Sequence, residues 1–189
     1  MSAVTRLTLV THAITDAVQA ARFPADEPLN PLGSRSAEQA GGLSGATAGA
    51  FCAPEARTAQ TAGALGLSGT TEEALRDLDC GSWAGQSMEA IAPDQLMAWL
   101  TDPTYRGHGG EAITDLVERV RLWLNGVAGL GDRVVAITHP AIVRAAILCT
   151  LQAPPESFWR IDIPPLTATT LHHRQPAWTL RSTAHALTD

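Results

Sequence analysis

With 189 residues, 45% apolar and 17% charged, the chain has the size of one ordinary domain over residues 1–189 and enough apolar surface for a sizeable core. That composition excludes disorder and leaves little room for a second catalytic domain. All 13 basic residues are arginine against 19 acidic ones, a formal charge of −6, so no basic nucleic-acid footprint is visible, and the lack of lysine removes Schiff-base chemistry and a Walker A loop.

In chain order, Leu7 to Val10 reads as a short buried strand, apolar on both faces, with His12 just beyond it. Pro31 to Leu43 can form a helix, Gly41 to Gly49 is a small-residue patch rather than a linker, and Ala50 to Ala53 is a brief strand. Glu55 to Leu65 predicts a helix with Pro54 where a first turn tolerates proline. Ile113, Leu116, Val117, Val120 and Leu124 recur at helical spacing, so Ile113 to Leu124 should lie against a sheet. Val134 to Thr138 is a second buried strand, followed at once by His139 and by a helix from Pro140 to Leu151. Ala168 to His172 and Trp178 to Arg181 are strand-like. This alternation predicts an α/β three-layer sandwich, a mostly parallel central sheet with helices on both faces. Ligands in such sheets gather beyond the carboxyl ends of the strands, where His12 and His139 would meet although far apart in sequence.

Cys52, Cys80 and Cys149 are too scattered for a zinc site or disulfide framework and suit reduced thiols. The N-terminus has no signal-peptide pattern and no stretch approaches the ~18 apolar residues of a membrane span, so a cytoplasmic location is expected. His172 and His173 are adjacent on a strand and point to opposite faces, which disfavours a shared metal. His108 and His185 receive no role, Cys80 is read as packing, and Trp83, Trp99, Trp123, Trp159 and Trp178 are read as core or interface. Gly42-Leu43-Ser44-Gly45 and Gly66-Leu67-Ser68-Gly69 lack the spacing of a serine-hydrolase elbow.

Six segments carry a more specific signal. Leu7-Thr8-Leu9-Val10-Thr11-His12-Ala13-Ile14-Thr15 resembles L-x-L-V-R-H-G-E-T, and Pro28-Leu29-Asn30-Pro31-Leu32-Gly33 with Gln39-Ala40 resembles P-L-T-x-x-G-x-x-Q-A. Residues 53–62 resemble S-P-x-x-R-A-x-Q-T-A around Arg57, and residues 75–85 resemble L-R-E-L-D-F-G-x-W-E-G with Asp77 at the glutamate. Gly109-Gly110-Glu111 and the run from Val134 to His139 resemble G-G-E-S and V-V-x-V-T-H-G. In this order the six are similar to the histidine phosphatase superfamily, the phosphoglycerate mutase-like fold.

The resemblance implies a phosphatase that hydrolyses a small phosphomonoester, or a phosphohistidine, through a phosphohistidine intermediate on His12. It implies His139 and Arg57 as donors to the phosphoryl oxygens, Asp77 as general acid with Glu111 as the second choice for acid or pocket support, and no metal or other cofactor. It implies a small phosphorylated substrate as partner, no nucleic acid or membrane, and allows a homodimer. Thr11 stands at the family's arginine, Ala13 at its glycine and Val18 at a common asparagine. Arg22 and the hydroxyls of Thr11 and Thr15 are candidate replacement donors. The alternative is a weak or inactive member that binds an anion or a partner for regulation.

Overall fold

Strand β1 (Thr5–Thr11) can be apolar on both sides because both are covered. Leu7 and Leu9 share a buried cluster with Leu116, Val120 and Ile142, whereas Val10 belongs to a second cluster with Ala62 and Leu65. Alternating residues of one strand thus serve two helical layers, and each buried leucine or valine contributes roughly 1.5–3 kcal/mol. The computed structural model describes residues 4–43 and 48–187; the centre of the small-residue patch, 44–47, lies outside the described residues.

The remaining strands are β2 (Gly49–Cys52), β3 (Thr70–Thr71), β4 (Arg133–Thr138), β5 (Thr167–Arg174) and β6 (Ala177–Ala186). They join β1 in one sheet ordered β3-β2-β4-β1-β5-β6. The first four in that order run parallel, and β5 and β6 form an antiparallel hairpin on the edge beside β1. The helices are α1 (Asp16–Gln19), α2 (Pro31–Gln39), α3 (Ala56–Ala64), α4 (Pro93–Thr101), α5 (Ile113–Val127) and α6 (Pro140–Leu151). The α5 and α6 side chains join Leu7 and Leu9 on one face; Ala62 and Leu65 lie on the other. This is the expected three-layer α/β arrangement.

The boundaries differ where the chain needs a turn. Helix α2 ends at Gln39 rather than Leu43, because Gly41 takes a left-handed φ of 72° that stops the helix. Strand β3 is two residues long and carries no periodicity to read, and α4 was not anticipated in its loop-like stretch. Both β5 and β6 extend beyond the predicted runs. His173 is buried and His172 half-buried, consistent with opposite faces. Among the described residues no helix is long and apolar enough to cross a membrane.

Register positions the chemistry. Thr11 pairs with Thr138 across the parallel β1–β4 ladder, and the His12 N–H donates to the Thr138 carbonyl at 2.9 Å. The two strand-ending histidines therefore leave the sheet at one edge.

Candidate active site

The loop after β1 is held rigid by its neighbours. The Ala13 N–H donates to Thr61 Oγ1 at 3.0 Å, and a Cβ on Gly33 would lie 2.1 Å from the Ile14 carbonyl oxygen, so only glycine lets α2 approach. Ala13 is absent from the positive-φ positions, which is why alanine is accommodated where the motif has glycine. Within this frame His12 Nδ1–H donates to the Ala13 carbonyl at 2.7 Å, leaving Nε2 as the bare nitrogen. Burial, helped by nearby His139 and Arg57, lowers the His12 pKa to about 4 despite the Ala13 bond, so the ring is neutral at physiological pH.

Arg57 projects from the first turn of α3 and is 1% exposed. Its Nη2 donates to Asp77 Oδ2 at 2.7 Å and its Nη1 to the Ala25 carbonyl at 2.7 Å, with Glu27 Oε2 at 3.8 Å. His139 stands 5.2 Å from His12, ring centroid to ring centroid. Its Nε2 donates to Glu55 Oε2 at 2.7 Å, and its Nδ1 lies 3.3 Å from Asp77 Oδ2 without the alignment of a hydrogen bond. Glu55 Oε1 accepts the Asp77 N–H at 2.8 Å, so one carboxylate holds both the second histidine and the Asp77 backbone. Burial alone would raise the Asp77 carboxyl, but the adjoining His139 and Arg57 outweigh it and hold Asp77 below the usual carboxylate range. Glu55 is likewise held low against its burial by His139.

A cavity of about 190 Å³ opens beside this group. His12, Asp77, Arg57 and Arg22 line it, and the Arg22 side chain makes no ion pair among the described residues. His139 sits behind the wall, fully buried, with a ring nitrogen toward each carboxylate. Three expected site residues, Thr11, Thr15 and Glu111, do not line the cavity. The Thr11 hydroxyl donates to the Pro164 carbonyl at 2.9 Å and accepts the Thr167 N–H at 3.0 Å, fastening β1 to the start of β5. Thr15 caps α1 by accepting the Val18 N–H and donates to Glu27 Oε1. Glu111 accepts two bonds from Arg119, at 2.9 and 2.7 Å, and Arg119 also donates to the carbonyls of Ala74 and Arg76. Glu111 therefore clamps the segment leading to Asp77 from outside the cavity.

Five contributors were not anticipated. Arg144, one turn into α6, lines the cavity; its Nε donates to the Ile161 carbonyl at 2.7 Å and its guanidinium lies 5.4 Å from the Trp159 ring centre. Burial pulls its pKa down, and its Nη groups have no carboxylate within ion-pair distance among the described residues. The helical step from Pro140 to Arg144 was the signal that could have exposed it. Glu55 and Glu27 left no such trace, because a carboxylate before a helix reads as ordinary capping and one in a loop as solvent-facing. Met88 and Trp99 come from the patternless stretch between Gln86 and His108. Cys80 also reaches the cavity, but burial followed by the Asp77 charge pushes its thiol up to about 12, which fits packing rather than attack.

Among the described residues no three His, Cys, Asp or Glu side chains are grouped to hold a metal ion. The sequence profile of the histidine phosphatase superfamily (branch 1) matches residues 7–185. A bifunctional protein of Mycobacterium tuberculosis is 28% identical over 173 residues, covering 84% of this chain and 48% of that protein. A glucosyl-3-phosphoglycerate phosphatase of Mycolicibacterium vanbaalenii is 30% identical over 121 residues, 56% of this chain and 53% of its own length. The chain thus spans about half the length of the curated relatives it matches. A solved mycobacterial glucosyl-3-phosphoglycerate phosphatase has a TM-score of 0.85 at 22% identity, over 97% of this chain and 100% of that one. A phosphoserine phosphatase mutant from Entamoeba histolytica, in complex with phosphoserine, has a TM-score of 0.83 at 19% identity, covering 95% and 96%. These two likenesses establish the fold.

Proposed function

Because the chain belongs to the histidine phosphatase superfamily, we propose that it hydrolyses small phosphomonoesters in two steps through His12. One observation carries this reading. His12, its Nδ1 held by the Ala13 carbonyl and its Nε2 bare, shares one cavity with the guanidinium groups of Arg57, Arg22 and Arg144. A neutral imidazole beside a cluster of guanidinium groups suits in-line attack on a tetrahedral oxyanion whose charge those groups neutralise.

In the first step His12 Nε2 attacks phosphorus in line, the P–N bond forms, the P–O bond to the leaving alcohol breaks, and the oxygen takes a proton from Asp77. Asp77 is ionised in the free site, so it needs that proton first. A substrate arriving as the phosphoryl monoanion competes for Arg57, stripping Asp77 of its counter-charge and letting it accept that monoanion's proton. In the second step water attacks phosphorus, Asp77 takes its proton, the P–N bond breaks, and His12 and inorganic phosphate are regenerated. Arg144 and Arg22 supply the positive charge that the motif arginine, replaced by Thr11, would have supplied.

The test is turnover of p-nitrophenyl phosphate together with a phosphoenzyme trapped by alkaline quench. A protein that neither turns over nor forms the adduct overturns the reading. Arg144→Ala is expected to lower kcat/KM about 10- to 100-fold, the worth of one charge-assisted contact in a desolvated pocket. A change below threefold would remove Arg144 from phosphoryl binding. A second reading, a weak or inactive anion binder, is favoured by the closed Arg57 fork, whose ends are taken by Asp77 and Ala25. Binding of vanadate without any turnover would support it.

A further inference from the structure

On the phosphatase reading the phosphoryl end of the cavity beside His12 holds Arg22, Arg57, Asp77 and Glu27, and the rest of the lining is largely apolar. Beyond the phosphoryl end its wall is Val18, Phe23, Met88, Trp99, Ala141 and Trp159. Trp99 and Trp159 stand 4.3 Å apart by ring centres and form one aromatic surface, backed by the Arg144 guanidinium over Trp159. No serine, threonine, asparagine or glutamine lines the cavity among the described residues, so an alcohol bearing several hydroxyls would meet few neutral partners there, the indole N–H groups and the Cys80 thiol, and no side-chain amide or hydroxyl. Val18 and Met88 are 42% and 41% exposed, large apolar side chains left open to water at a cavity that also holds the nucleophile. An apolar ligand covering them accounts for that exposure.

We propose that the alcohol esterified in the substrate is a compact apolar group, an aromatic ring or a branched alkyl, and not a polyol, sugar or amino acid. This rests on the phosphatase reading and specifies the substrate class of the same site. The several hydroxyls of a polyol or sugar, or the charged ends of an amino acid, moved against this wall lose more water than its indole N–H groups replace, whereas a ring gains burial against Trp99 and Trp159.

Benzyl phosphate, glycerol 3-phosphate and phosphoserine all release an unactivated alcohol, so their rates compare the pockets rather than the leaving groups. The expected result is a kcat/KM for benzyl phosphate at least about 30-fold above the other two, dependent on His12. Val18→Asn and Met88→Gln, both at half-open positions, should each narrow that ratio by about fivefold. Turnover by His12 that favours glycerol 3-phosphate or phosphoserine, or treats all three alike, overturns the apolar assignment and leaves the phosphatase reading standing. If none is hydrolysed, quenching of tryptophan fluorescence by benzylphosphonate against methylphosphonate still reads the wall. Tighter benzyl binding would then uphold the apolar site while the phosphatase reading falls, and equal binding would sink both.

Discussion

Replacing His12 with alanine is expected to lower turnover of p-nitrophenyl phosphate by at least about a thousandfold and to abolish the alkali-stable phosphoenzyme. The argument is one of atoms. Among the cavity-lining groups, the Cys80 thiol is held protonated by its raised pKa, and the arginines are always charged. His12 Nε2 is then the one neutral, unencumbered nucleophile, its tautomer fixed by the Ala13 carbonyl. A variant retaining more than a few per cent of wild-type rate would remove His12 from the reaction.

The same substitution has a signature in stability that does not depend on catalysis. The His12 pKa falls from 6.5 in the unfolded chain to about 4 in the folded one. Below pH 6.5 the unfolded chain takes up a proton that the folded protein refuses until about pH 4, so the folded state loses stability as pH falls through that window. The loss amounts to about 3 kcal/mol for a shift of this size. Urea unfolding at pH 7 and pH 4.5 should show a shallower decline for His12→Ala than for wild type. Equal declines would mean that His12 is more open to water than its 3% exposure implies.

How much of this was legible in the sequence depends on the range of the interaction. The buried strands around Leu9 and Val135 announce themselves because residues covered on both faces are apolar at every position. The parallel β1–β4 pairing then brings His12 to His139 whatever the intervening loops do. Arg57 and Asp77 were visible only through their motif segments, since nothing in the local spelling of an alanine-rich helix says that its arginine is buried. The errors share one cause. Thr11 and Thr15 sit within three residues of His12 and Glu111 lies in a motif segment, but each is held against a partner of its own, Pro164 and Thr167, Glu27 and Arg119 respectively, so proximity in the chain or the motif did not become adjacency in the cavity. Conversely, Glu55, Glu27 and Arg144 act through long-range contacts, such as Glu55 with His139, that no local pattern encodes.

Arg57→Met should combine the largest loss of stability with a loss of activity comparable to that of the His12 variant. On the phosphatase reading the phosphoryl group takes the Arg57 fork over from Asp77 and Ala25, so its removal takes away charge and geometry together, at least about a thousandfold in kcat/KM. It also leaves Asp77 with only the 3.3 Å approach of His139 Nδ1 and the backbone bond from Leu78, which is expected to cost about 3–5 kcal/mol at neutral pH. The sign with pH follows from the pair. In wild type the depressed Asp77 carboxyl contributes stability above its unfolded value, and that contribution disappears as pH falls through the folded value. Without Arg57 the carboxyl rises, so the deficit of the variant should shrink on acidification. Arg57→Met combined with Asp77→Asn should recover part of the stability, because no unpaired carboxylate is left buried, and recover none of the turnover. Arg57→Lys keeps the charge without the fork and should fall between wild type and Arg57→Met in both measures. Turnover by Arg57→Met within tenfold of wild type at unchanged KM would show that the phosphoryl group is held by Arg22 and Arg144 alone, with the Arg57–Asp77 pair serving only to fasten the start of α3 to the segment that follows β3.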